Sequence, residues 1–343
     1  MSEPPLDVLK HVVDVHCHPT DSEIPSNVID ELPITICAMA TRPDDQSLVA
    51  DLAKSHQDKV VPCFGFHPWF AHWISVAPGA LPSKEQHYRS LFLKEDESGS
   101  TNDEHVQALE KMLPCLPEPM RLGDCISSIR QHFSAFPGAM LGEVGLDRSA
   151  RVPLDYNSEQ RELSPFSVPF EHQLAILEAQ LAVAVDMNRT VSIHSVKAQK
   201  VTIDLLERMK NKYGESWTRI SIDMHSCGFS PETWHAVEKS HPNAFLSLST
   251  VINGRSPNHR KLIDVVSPDR LLVESDIHEI GQCAARTWDM VLTIADVKGW
   301  KVEEKWEDEV DESKWGVVRR LEHNFKLFME GGHKPRIKGK KRN

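Results

Sequence analysis

The stretch Val12-Val13-Asp14-Val15-His16-Cys17-His18 constrains this chain more than any other. The β-branched valines favour a strand. Side chains alternate along a strand, so His16 and His18 leave the backbone on the same side. Two imidazoles so placed can share one metal ion. One histidine that caps a strand and another that opens a loop would look the same locally, so the rest of the chain must decide.

The pattern recurs. Further strand-like apolar runs cover 34–40, 60–68, 139–147, 190–194, 219–225, 244–249 and 270–276, and at or near the carboxyl ends of five of them stand His67, Glu143, His194, His225 and Asp276. Helical spacing falls between several of these runs: over 47–54 after a loop containing Pro43, over 169–186, over 198–212, and over 231–240 with Pro231 in the first turn. A closing amphipathic helix is expected over 317–329. Eight β-runs mostly separated by helices are the sequence form of an α/β protein with a (β/α)8 TIM barrel. In such barrels the chemistry sits at the carboxyl ends of the strands. Glu143 interrupts an apolar strand and must be paired, protonated or on a metal. Taken singly, each residue has a structural alternative: a buried ion-pair partner for Glu143, hydrogen-bonded core histidines for His194 and His225, and a helix N-cap for Asp276.

One barrel over 1–330 is expected, with insertions at about 72–138 and 298–315 and a basic, disordered tail over 331–343. The first insertion is marked by Pro78, Pro82, Pro114, Pro117 and Pro119, with an acidic, serine-bearing patch over 95–100. The second is acidic and carries Trp300, Trp306 and Trp315. No apolar run approaches the roughly 18 residues that span a bilayer, and 1–10 lacks the basic and apolar regions of a signal peptide, so no membrane association is expected. Seven cysteines without a Cys-x-x-Cys pair point to a reducing compartment, with Cys37 and Cys63 as small core residues. A net charge of −11 argues against a protein that coats nucleic acid, but not against a nuclease whose ions supply local positive charge. The expected location is cytoplasm and nucleus.

Six motifs in order, His16-Cys17-His18, Gly65-Phe66-His67-Pro68, Gly142-Glu143-Val144-Gly145-Leu146-Asp147, Ile193-His194-Ser195, His225-Ser226-Cys227-Gly228 and Glu274-Ser275-Asp276, resemble the signature of the TatD family of metal-dependent hydrolases. The resemblance implies two divalent ions (Zn, Mn or Mg) bridged by Glu143. His16, His18 and Asp276 would complete one site, and His194 and His225 would hold the other. It also implies catalytic roles for Glu143 and Asp276, the latter taking the proton of an activated water. His67 would face the substrate. Where many members carry Arg two residues after the fifth-strand histidine, this chain has Val196, with Lys197 beside it as the substrate-side cation. Arg148-Ser149 stands in place of an aromatic residue, and Ile277-His278-Glu279 in place of a proline.

The implied activity is that of a deoxyribonuclease of exonuclease type. A small ester or amide substrate is the first alternative. The second is an adaptor: the larger fungal-type branch has a described association with a tetratricopeptide-repeat subunit of a cell-cycle ubiquitin ligase, for which 298–315 and the tail are candidate contacts, although a solvated loop and a solubilising or nuclear-import tail are the readier reading of the two segments.

Overall fold

The computed structural model describes residues 4–25, 27–93, 102–156, 158, 160 and 162–334. The acidic patch at 95–100 and the tail beyond 334 lie outside them. Eight strands form one parallel sheet in sequence order: β1 (Val13–Cys17), β2 (Thr35–Met39), β3 (Val60–Phe64), β4 (Met140–Asp147), β5 (Val191–Val196), β6 (Ile222–Met224), β7 (Ala244–Leu248) and β8 (Leu271–Val273). Every strand residue except Val13, Thr35, Val61, His194 and Val196 is buried, as in sheets covered on both faces. The sheet curls into a nearly closed barrel. Its ends meet beyond β8, where the Asp276 amide donates to the His16 carbonyl and the His18 amide to the Ile277 carbonyl.

The crossover helices are α1 (Pro43–Ser55), α2 (Leu122–Ala135), α3 (Phe170–Met187), α4 (Gln199–Tyr213), α5 (Pro231–Ser240) and α6 (His259–Val265), followed by α7 (Ile280–Lys298) and α8 (Val317–Glu330). α1 starts four residues before its apolar spacing does. Pro43 occupies the first turn, where its missing N–H costs nothing, and the Asp45 carboxylate accepts the amides of Thr41 and Arg42. β3 ends at Phe64, short of the expected 68, because the chain turns there into a 3-10 helix, Pro68–Trp73. The sequence reading assigned no helix to α6 or α7. In α7, Cys283, Thr287, Met290, Val291 and Ile294 form the buried stripe, and the helix ends at Gly299, whose φ of 65° suits glycine.

Between β3 and α2 lie two helices, Lys84–Phe92 and Asp103–Met112, and a two-stranded ribbon of Ile74–Ser75 with Met120–Arg121. α2 itself is an ordinary crossover helix, with Ile129 and Phe133 buried and the Arg189 guanidinium donating to the Phe133 carbonyl. At the other end of the barrel Phe328 of α8 packs on Phe245 of β7 at 5.3 Å between ring centres, and Asn324 donates to the carbonyls of Pro268 and Leu271.

The segment 298–315 is strapped to the body by its tryptophans. Trp306 stacks on His11 at 3.5 Å, lies beneath the Arg319 guanidinium at 4.0 Å, and donates its amide to Asp7. Trp300 lies under Arg320. The Glu303 carboxylate accepts the amides of Val318 and Arg319, capping α8. Among the described residues no helix is long and apolar enough to cross a membrane.

Candidate metal centre

β1 delivers His16 and His18 to the carboxyl end of the barrel, β4 delivers Glu143, β5 His194, and the turns after β6 and β8 deliver His225 and Asp276. These six side chains converge. His18 Nε2 lies 3.2 Å from His16 Nε2, 3.4 Å from Glu143 Oε2 and 3.5 Å from Asp276 Oδ1. On the other side, Glu143 Oε1 is 2.7 Å from His194 Nδ1 and 3.3 Å from His225 Nε2. Glu143 thus faces both halves of the cluster, one oxygen to each. Asp276, at φ 54°, and Ser226, at φ 40°, hold left-handed backbone just beyond their strands, a strained conformation of the kind found at functional sites.

The donor set fits divalent cations. Imidazole nitrogens and carboxylate oxygens approach to within 4.8 Å of one another in overlapping groups: His16 with His225 and Asp276, His16 with His18 and Glu143, and, through a histidine outside the expected ligand set, His67 with Glu143 and His194. Such spacing is what ligands around a common ion require. The electrostatics agree. Burial alone would raise Glu143, but the imidazoles of His67, His16 and His194 hold its carboxyl well below the usual range. Burial pulls His194 and His225 down. Facing carboxylates overcome it, Glu143 and Asp147 lifting His194 to about 9, and Glu274 and Asp276 lifting His225 well above its ordinary value. The carboxylates therefore demand positive charge at this point, which protons or metal ions can supply.

His67 sits beside the cluster, 3.4 Å from Glu143 Oε1, and burial lowers it to about 4, keeping it neutral. Its Nδ1 accepts the Trp69 amide, so the ring proton is on Nε2 and points toward Glu143. Lys197 goes elsewhere: it is exposed, at φ 50°, and does not line the cavity that opens over the cluster. Val196 lines that cavity in its place.

Several functional side chains were not singled out from sequence. Asp147 accepts from Trp69 Nε1 at 2.7 Å and faces His194 Nε2 at 3.2 Å through the same oxygen, while its other oxygen takes the amides of Ser149 and Ala150. Ser149, one of the departures from the family pattern, therefore helps to hold that carboxylate. Glu274 faces His225 Nδ1 at 3.0 Å. Ser192 lies 2.8 Å from His16 Nδ1. For Asp147 the missed signal was strand alternation, because it lies two pleats beyond Glu143 on β4. The cavity, about 590 Å³, is walled by Trp69, Phe70, Arg42, Arg151, Val152, Pro153 and Tyr156.

Fold and site together define a (β/α)8 barrel hydrolase with a histidine-carboxylate cluster at the carboxyl ends of its strands. Residues 13–308 match the profile of the TatD related DNases, and the chain belongs to that family, whose members are metal-dependent. Over 357 residues it is 27% identical to the fission yeast Cut9-interacting protein scn1 (Schizosaccharomyces pombe), covering 94% of this chain and 99% of that one. It is 25% identical to human deoxyribonuclease TATDN3, covering 85% and 89%. The crystal structure of a TatD homologue from Escherichia coli, YJJV, superposes with a TM-score of 0.56 at 16% identity, covering 94% of this chain and 98% of that chain.

Proposed function

We propose that this protein hydrolyses phosphodiester bonds with two divalent cations held by His16, His18, Glu143, His194, His225 and Asp276. The observation that carries this reading is Glu143, whose two oxygens face separate histidine sets in one buried cluster. Ions bound there supply Lewis acidity toward a phosphoryl oxygen and make the attacking water more acidic. Imidazole-rich donors suit Zn or Mn better than Mg.

The protein's own groups supply the rest. Asp276, at the edge of the cluster and 3.5 Å from His18, accepts the proton of the attacking water. His67 donates from Nε2 to a non-bridging phosphoryl oxygen. Asp147 and Glu274 orient His194 and His225, fixing which nitrogen each presents to the ions. Purified protein loaded with Zn or Mn is expected to degrade a DNA oligonucleotide or a bis-aryl phosphodiester. Chelation and Glu143→Ala should each abolish turnover, and a protein that binds no metal and cleaves neither substrate overturns the reading.

A small ester is the second reading. The cavity wall favours it, since apart from the cluster's own Glu143 and Asp276 it carries three carboxylates, Asp21, Asp147 and Asp155, and only two guanidinium groups, a poor match to a polyanion. An esterase panel run beside the DNA assay separates the two. The relative named Cut9-interacting protein supports a further, non-exclusive proposal, that this chain also binds a protein partner such as a tetratricopeptide-repeat subunit. Trp300 and Trp306 are engaged within the chain, so any such contact at 298–315 would use its exposed acids, Glu307, Asp308 and Glu309 among them.

A further inference from the structure

We infer that the cavity wall facing the histidine-carboxylate cluster is a ring-binding subsite, in which Trp69, Phe70 and Tyr156 take the planar substituent of an aryl or nucleoside phosphate. The inference rests on the hydrolase reading above, which puts the phosphoryl group at the cluster. The cavity volume, about 590 Å³, falls within the range of small-molecule sites, roughly 300–1,000 Å³. The lining combines the cluster with three rings and the aliphatic Val152, Pro153 and Val168, and Trp69 stands directly against the cluster, 4.9 Å from the His67 ring.

Charge is the weaker basis for recognising the rest of the substrate. Arg42 is paired with Asp21 at 2.8 Å, and Arg151, which keeps its charge while giving one N–H to the Ser164 carbonyl at 2.9 Å, shares the wall with Asp147 and Asp155. Beyond the group at the ions, apolar contact is the larger source of affinity.

The rings are held in place before any ligand arrives. Trp69 is 42% exposed, yet its indole N–H is fixed on Asp147 and its ring stands edge-on to His67, with 4.9 Å between centres and 85° between planes. The Tyr156 hydroxyl donates to the Trp69 carbonyl and lies 3.3 Å from His72 Nε2. Phe70 packs on Trp73 and Tyr156. Ordered rings lose little entropy when a planar ligand stacks on them. Because Asp147 holds both the indole and His194, the ring platform and the cluster are fixed by one carboxylate.

Phenylphosphonate and methylphosphonate carry the same headgroup and differ in the ring. Titrated calorimetrically into the Zn-loaded full chain, phenylphosphonate is expected to bind about tenfold more tightly or better. It should also quench tryptophan fluorescence where methylphosphonate does not. Tyr156→Leu and Phe70→Ala should bring the two affinities together by weakening phenylphosphonate alone. Equal affinities in the unaltered protein overturn the subsite and leave the hydrolase reading standing. Failure of both phosphonates to bind the metal-loaded protein overturns that reading as well. The comparison within the unaltered chain is decisive even where a variant does not fold.

Discussion

The Asp276 amide donates to the His16 carbonyl at 3.0 Å, joining the last strand's end to the first. A second bond, His18 to the Ile277 carbonyl at 2.8 Å, lies beside it. The Asp14 carboxylate adds a third tie by accepting the Ser275 amide at 2.9 Å. The contacts that close the barrel are therefore also the contacts that bring the β1 and β8 ends of the cluster together. The residues that seal the sheet are, or adjoin, the residues that would hold an ion.

Asp147 orients His194, so Asp147→Asn should weaken metal binding by about 10–100-fold, the usual effect of removing a ligand's hydrogen-bonded support. Competition titration against a chromophoric chelator checks this without a turnover assay. Glu274→Gln should act similarly through His225.

Lys197 and His67 should behave oppositely. Lys197→Ala is expected to leave kcat and KM unchanged on any phosphodiester, since its side chain is exposed outside the cavity. His67→Ala removes a donor aimed at the cluster, and kcat/KM should fall by at least about 10²-fold. Steady-state kinetics on both variants test the pair.

Burial holds His72 down to about 3 and His241 to about 4. In the unfolded chain each would titrate near 6.5. Both are neutral in the folded state, so their contribution to stability is complete above about pH 6.5 and is lost as pH falls toward the folded values. Each can add up to about 1.4 kcal/mol per pH unit to the slope in that window. Denaturant titrations between pH 7 and 4 should show a shallower slope for His72→Phe than for the unaltered chain.

Trp306 links the amino-terminal segment, a short helix over Leu6–Leu9 followed by His11, to α8 through Asp7, His11 and Arg319. Trp306→Ala should lower stability by about 1–3 kcal/mol, read as a drop in Tm by calorimetry. Deleting 298–315 should cost more, because Glu303 also caps α8. Loss of partner capture in that deletion must therefore be compared with Glu307, Asp308 and Glu309 replaced together, which leaves the strap in place.

The barrel was legible because each strand is a local signal, a short apolar run such as Val60–Phe64 or Val191–Val196. A buried candidate ligand announces itself as a polar residue where the pattern calls for an apolar one, as at Glu143. α7 was not legible in the same reading. Its buried stripe, Cys283, Thr287, Met290 and Ile294, has helical spacing but mixes a thiol and a hydroxyl among the apolar positions. The third strand is shorter than its apolar run, because Phe66 continues the run after the strand pairing has ended at Phe64.

By itself the chain's order of residues determined which strands form and which imidazoles and carboxyls stand at their ends, since strand propensity and alternation act over a few neighbours. Only the tertiary structure decided what those groups do together. Asp147 reaches His194 across two strands, and Glu274 reaches His225 across 49 positions of chain. Lys197 turns away to solvent, and the tryptophans of 298–315 are engaged by His11, Arg319 and Arg320. Each of these outcomes depends on distances between residues far apart in sequence, set by barrel curvature and closure, and no local pattern encodes them.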